Sequence, residues 1–397
     1  MSAFIVGGMV RDLILRRPST DLDITVEGDA LKVAHDYARS VGGRVKGVTR
    51  FGTCKVEGGP AGVVDFASTR TETYRRPGAL PDIKVFPNIM VDLERRDFAV
   101  NAMAMPLSEK CCGVVLDPFD GWGDLERSRL TALHPESFTD DPTRVLRGVR
   151  FAARYGYRFE KYTRDWLDAC VSGGSMKTVS GKRIRRELEL IFAEHNAAGG
   201  MRLLDTCGVL QGIDRDLALG PVKRRRLAAA GRALNRFTGL AGEAGFDPMV
   251  YWFGYLFMGI ESAAVKRLIR YFNLDKRFAA TCRYMYPGLF DDWVALRLMD
   301  PPFACEATGL LRALPLESLA LLYFSSDRRE RGIIESYLKR WRDVKPRLTG
   351  DDLVKLGMKP GPAVGELLEE ILEAKLLGGL GTKRAETAFV RERLKAI

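Results

Sequence analysis

Histidine is scarce in this chain: 397 residues hold three, His35, His134 and His195. The seven cysteines (Cys54, Cys111, Cys112, Cys170, Cys207, Cys282 and Cys305) are odd in number and scattered, with no C-x-x-C pair. That pattern argues against a structural zinc site and against a disulfide framework, so a cytoplasmic location is expected. No apolar run approaches the roughly 18 residues that a membrane helix needs. The opening segment, Met1 to Val10, has no basic leader and runs at once into Gly7, Gly8 and Arg11, unlike a signal peptide. Low-complexity tracts, long linkers and fixed-period repeats are also missing.

What is present belongs to an ordinary globular protein: 46% hydrophobic and 28% charged residues. The length exceeds one ordinary core, so two to four structural units are expected. Lys and Arg number 62 against 51 Asp and Glu, a net charge of +11. An excess of that size suits a polyanionic partner, and nucleic acid is the usual one.

The first third alternates strand-like and helical runs. Ala3 to Val6, Leu22 to Val26, Arg44 to Val48, Thr53 to Val56 and Gly62 to Phe66 are short and rich in β-formers, and Ala30 to Val41 has helical spacing. After about Asp117 apolar residues recur at helical spacing, as in Ile184, Leu188 and Ile191, and little reads as strand. The expected fold is an α+β head, a small sheet with flanking helices, followed by an all-α remainder.

Three constellations carry chemistry. In the first, Gly7-Gly8-Met9-Val10-Arg11-Asp12 precedes Asp21-Leu22-Asp23. Paired glycines after a strand let backbone N–H groups approach a phosphate, and Arg11 offers a forked contact. Residues two apart on a strand face the same way, so Asp21 and Asp23 would project together. Paired carboxylates with hard oxygens suit Mg²⁺. Asp65, in the apolar run Val63 to Phe66, supplies a third carboxylate.

The second is Arg95-Arg96-Asp97-Phe98-Ala99-Val100-Asn101. Either arginine can meet a triphosphate, with Asp97 and Asn101 ordering the site. The third is Asp140-Asp141-Pro142-Thr143-Arg144, continued by Arg147. One aspartate should cap a helix that has Pro142 in its first turn. Asp141, Arg144 and Arg147 then share a face, and an acceptor beside a forked donor can read a base edge.

This ordered set resembles the class II tRNA nucleotidyltransferase and bacterial poly(A) polymerase family. Arg95 to Ala104 resembles its R-R-D-F-T-x-N-A-x-A motif with Ala99 for Thr. Asp117-Pro118-Phe119-x-Gly121 resembles its D-P-x-x-G hinge, and Asp140 to Arg144 its E-D-x-x-R motif with Asp140 for Glu. Ser180 to Leu188 resembles its neck motif, and Thr349 to Gly365 its tail. Members often carry a helix before the first strand, and this chain opens on the strand. The segment between Glu72 and Arg95 matches the family's flexible loop.

The resemblance implies a seahorse-like molecule: a catalytic head over 1–125, a base-recognising neck over 126–195, a helical body over 196–315 and a tRNA-binding tail over 316–397. It implies Mg²⁺ on Asp21 and Asp23, with Asp65 activating the attacking 3′ hydroxyl. Gly8, Arg11, Arg96, Asp97, Asn101 and Arg147 would hold the nucleotide. Asp141 and Arg144 would select CTP and ATP without a nucleic-acid template. The substrate would be the 3′ end and acceptor arm of tRNA. The basic residues Lys223, Arg224, Arg225, Arg226, Lys339 and Arg340 are candidate phosphate contacts on the RNA. Alternatives on the same scaffold are an A-adding or CC-adding specialist, a poly(A) polymerase and an inactive RNA-binding protein.

Overall fold

The computed structural model describes residues 2–18, 22–49, 52–108, 111, 113–242, 245–285, 287–301 and 303–395. It divides into two compact units, Met1–Arg224 and Arg225–Ile397.

The first unit opens with β1 (Ala3–Val6), α1 (Gly8–Ile14), β2 (Leu22–Val26), α2 (Ala30–Val41), β3 (Arg44–Lys46), β4 (Thr53–Gly59) and β5 (Gly62–Ser68). A hairpin follows, β6 (Arg70–Thr73) and β7 (Asp82–Val85), then α3 (Ile89–Glu94) and β8 (Ala104–Pro106). The main sheet has the order β3-β4-β5-β2-β1-β8, with β2 and β5 parallel and the other pairs antiparallel.

Alternation along the strands gives the sheet two different faces. One carries Ile24, Val26, Cys54, Val56, Val64 and Phe66 onto Ala30, Ala34 and Ala38 of α2. Alanines four apart form a smooth stripe that lets the helix lie close. Asp29 starts this helix by accepting from the Leu31 and Lys32 amides, and Gly42 ends it at φ 69°. Truncating Phe66 to Ala at the centre of this layer should cost about 3–5 kcal/mol. The other face packs Phe4 and Val6 against Ile89, Leu93, Ala102 and Ala104.

The rest of this unit is mainly helical: α4 (Gly121–Glu126), β9 (Arg129–Leu130), α5 (Ser137–Asp140), α6 (Thr143–Tyr155), β10 (Arg158–Phe159), α7 (Lys161–Ser172), α8 (Gly181–Phe192), α9 (Ala197–Thr206), α10 (Val209–Ile213) and α11 (Pro221–Ala241). The β9–β10 pair is parallel and only two residues per strand, a small exception to the all-helical expectation. Asp117 accepts from the Gly121 and Trp122 amides at the start of α4. Gly121 has to be glycine, because a Cβ there would lie 2.2 Å from the Ala99 carbonyl oxygen.

The unit boundary falls inside α11. The second unit is helical throughout its described residues, with a π-type turn at Tyr337–Trp341. Its centre is aromatic: Tyr251, Trp252, Phe253, Tyr255, Phe257, Phe272 and Phe324 are buried. Near its end, Leu348, Leu353, Met358, Leu367, Ile371 and Val390 form a separate small core. Among the described residues no helix is long and apolar enough to cross a membrane.

Candidate active site

Asp23 lies on the sheet face opposite α2. Its register partner on β5 is Asp65, and Asp65 in turn pairs with Lys55 on β4. Register partners project to the same side, so these carboxylates are neighbours across one strand spacing, about 4.8 Å. Lys55 Nζ lies 2.9 Å from Asp65 Oδ2, with both side chains partly exposed. Asp21 lies outside the described residues. Oxygen-only donors on an open sheet face fit a hard divalent cation. Among the described residues there is no cluster of three or more His, Cys, Asp or Glu placed to hold a metal.

Asp23 lines a cavity of about 420 Å³ together with Gly8, Arg11, Arg96, Asp97, Asn101, Asp141, Arg144 and Arg147. Three separated sequence motifs thus meet at one hollow. Asp65 adjoins it through Asp23 and is not part of the wall.

Arg11 is 6% exposed. It forks onto Asp12 at 3.0 Å from Nε and Nη2, donates to Asn101 Oδ1 at 2.6 Å, and stacks 4.9 Å from the Tyr155 ring. Asn101 donates to Asp97 Oδ1, and Arg147 grips Asp97 Oδ2 at 2.7 Å. Burial pushes the Asp97 carboxyl up, but Arg147 and the Asn101 amide outweigh it and hold it at about 2. Asp97 therefore ties α6 to the turn at Ala99–Asn101.

The adjacent arginines have different tasks. Arg95 donates to Asp92 and Glu72, at 2.6 and 3.0 Å. Arg96 donates to Asp92 Oδ2 at 3.0 Å and to the Asn101 carbonyl at 3.3 Å. Its Nε is buried with no hydrogen-bond partner, and burial pulls its guanidinium below the ordinary arginine value. A buried cationic donor beside a cavity wall is a ready contact for an anion. Asp92, fully buried, organises both arginines. Sequence reading missed it, although it stands three and four residues before them on one helix face.

Asp141, just before α6, also lines the cavity. Its Oδ1 accepts from the Thr143 amide and hydroxyl at the start of α6 and from Arg183 Nη2 at 2.8 Å. The N-cap position is Pro142, Asp141 just before it takes up the first amide of α6, and Asp140 ends the preceding helix, α5. Arg144 sits in the first turn of α6, 5% exposed. Glu187 of α8 also lines the cavity, and burial raises its carboxyl above the usual range. Its Oε2 has no hydrogen-bond partner. Arg183 and Glu187 come from the Ser180 to Leu188 motif, whereas Tyr74 and Ser137 join the site only through folding, with no local spacing to announce them.

None of the basic residues expected to meet RNA lines this cavity. Lys223 is partly buried, and desolvation lowers its ammonium to about 8 despite Asp205 nearby. Arg224 pairs with Asp205 at 2.5 Å. Arg226 stacks 4.4 Å over the Phe324 ring and donates to the Phe324 carbonyl. Lys339 lies 3.8 Å from Glu335. Arg225 and Arg340 are exposed and take part in none of these pairs or stacks; Arg224, Arg226 and Lys339 are exposed as well.

Known proteins resemble this chain along most of its length. Residues 3–131 match the family model of the poly A polymerase head domain. The A-adding tRNA nucleotidyltransferase of Halalkalibacterium halodurans is 34% identical over 402 residues, covering 99% of this chain and 88% of that relative. The A-adding tRNA nucleotidyltransferase of Geobacter sulfurreducens is 32% identical over 409 residues, covering 97% of this chain but only 44% of that longer relative. A solved apo form of a CCA-adding enzyme superposes with a TM-score of 0.85 at 28% identity, covering 100% of this chain and 92% of that one. Similarity along nearly the whole chain places this protein in the tRNA nucleotidyltransferase family, built on a poly A polymerase head.

Proposed function

We propose that this protein transfers AMP, CMP or both from ATP and CTP to the 3′ end of tRNA without a nucleic-acid template. The observation that carries the reading is the convergence of three motifs on one cavity: Asp23 from the sheet, Arg96 and Asp97 from the arginine motif, Asp141 and Arg144 from the neck. The two relatives at 34% and 32% identity are both A-adding enzymes, which favours a single terminal A over full CCA synthesis. The +11 charge suits an RNA partner. Its location is proposed as cytoplasmic.

Asp23, with Asp65 beside it and Asp21 by sequence motif, would hold Mg²⁺, which would acidify the attacking 3′ hydroxyl and offset charge on the triphosphate. The protein's own groups supply the rest. Arg96, Arg11 and Arg147 line the cavity and would set positive charge against the triphosphate. Asp65 would accept the proton of the 3′ hydroxyl. Asp141 keeps Oδ2 without a hydrogen bond among the described residues, an acceptor for the amino group that adenine and cytosine share. Arg144 supplies the paired donor. Of the basic residues, exposed Arg225 and Arg340 are the ones proposed to meet tRNA phosphates, with 126–195 as the base-reading neck and 316–397 as the tail.

The test uses three tRNA transcripts, ending before CCA, after C and after CC, each incubated with Mg²⁺, ATP and CTP and resolved on a sequencing gel. Extension of only the last, by one residue, identifies an A-adding enzyme. Extension of all three to CCA identifies a full CCA-adding enzyme. Failure to extend any of them contradicts the reading.

A further inference from the structure

Arg144 carries the donor half of the proposed base-reading pair, so whatever fixes its guanidinium fixes selection. Asp140 and Asp141, four and three residues before it, make no side-chain hydrogen bond to it among the described residues. Instead Nη1 donates to Ser137 Oγ at 2.8 Å and Nη2 donates to the Arg95 carbonyl at 2.7 Å. The Tyr74 hydroxyl lies 3.5 Å from Nη2, and its ring centroid lies 6.0 Å from Arg144 Cζ. All three partners are uncharged. The guanidinium is therefore oriented without an ion pair that would neutralise it, and its charge stays available to a ligand.

Ser137 is well suited to this task. Its side chain is fully buried. Its amide donates to the His134 carbonyl and its own carbonyl accepts from the Asp141 amide, so its backbone is held on both sides. One short helix, α5, thus runs from the residue that holds Arg144 to the residue just before Asp141.

We propose that Ser137 is a positioning residue for nucleotide selection: its hydroxyl, with the Arg95 carbonyl, sets the guanidinium of Arg144 against the incoming base. This rests on the assignment of Arg144 as a base reader. Without Oγ, Nη1 is left buried with no acceptor, and the guanidinium turns toward the Asp140 and Asp141 carboxylates.

The experiment measures kcat and KM for ATP and for GTP on a tRNA ending in CC, with the full-length protein. Ser137→Ala is expected to lower the ATP-over-GTP ratio of kcat/KM roughly tenfold, the size of one hydrogen bond to a charged group. The loss should fall mainly on KM for ATP, with tRNA KM and melting temperature nearly unchanged. Ser137→Thr should restore the ratio, and Asp140→Ala should stay within about threefold of the parent. If Ser137→Ala fails to fold, the nearly isosteric Ser137→Cys keeps the packing, loses most of the acceptor strength and should give the same loss. A ratio unchanged in these variants but collapsed in Arg144→Ala overturns the role of Ser137 and keeps the base-reading assignment. A ratio unchanged in Arg144→Ala as well overturns both.

Discussion

Asp23 and Asp65 are register partners on the parallel strands β2 and β5, so two residues 42 positions apart send carboxylates from one face of the sheet. Only Asp23 lines the cavity, while Asp65 stands beside it in an ion pair with Lys55. Replacing Asp65 by Asn should lower nucleotide incorporation about 100-fold or more, the range of a lost general base. Stability should change by less than about 1 kcal/mol, because the broken pair is partly exposed. Single-turnover incorporation and a thermal melt on the same preparation check both.

Asp97 makes stability depend on acid. Its carboxyl falls from 3.8 in the unfolded chain to about 2 in the folded one, because Arg147 and Asn101 outweigh burial. The ionised form is favoured by folding, so this stabilisation is complete above pH 3.8 and is lost as pH falls through about 2. It amounts to about 2 kcal/mol. Asp97→Asn should lower stability at neutral pH by at least that amount and flatten the decline between pH 4 and 2. Urea unfolding across that range is the measurement.

Gly7 has φ +66°, and a Cβ there would lie 2.8 Å from Arg96 Nη1. Gly7→Ala should strain the backbone by about 1–2 kcal/mol and push the Arg96 guanidinium away from the cavity. We expect KM for the nucleotide to rise roughly tenfold, the size of a weakened charge-assisted contact, with tRNA affinity unchanged. Gly43→Ala, on the edge of the sheet away from the cavity, is the control for strain without loss of affinity.

Neighbouring basic residues on α11 should separate by role. Arg225→Ala removes an exposed charge and is expected to weaken tRNA binding and reduce the slope of log affinity against log salt by about 1. Arg226→Ala removes the stack on Phe324 and the bond to its carbonyl. It should cost about 1–2 kcal/mol of stability and leave that slope unchanged. Filter binding at several salt concentrations, with melts alongside, distinguishes the two.

Legibility in the sequence followed locality. α2 was readable to its observed ends, Ala30 and Val41, because its apolar stripe, its Asp29 cap and its Gly42 stop are all local. The β6–β7 hairpin was not, because Arg70–Thr73 is polar throughout and the alternation of Asp82–Val85 spans only four residues. β4 and β5 run past the expected ends, to Gly59 and Ser68, since pairing continues beyond the apolar core of each strand.

The site divides in the same way. Nine residues picked from three motifs line one cavity, because each motif carries its own chemistry in adjacent positions. The groups that hold them do not. Ser137 and Tyr74 reach Arg144 from 7 and 70 residues away, and Arg183 reaches Asp141 from 42 residues away. Arg226, expected to meet phosphate, also stacks on the Phe324 ring and donates from Nη2 to its carbonyl, contacts that its place in a basic run does not foretell.

The most direct test measures AMP incorporation into a tRNA ending in CC by the parent protein and by Asp23→Asn, with ATP and tRNA binding measured on both. The account predicts one A added by the parent, no detectable addition by Asp23→Asn, and tRNA binding within about threefold between them. Incorporation by Asp23→Asn at the parent rate would contradict it.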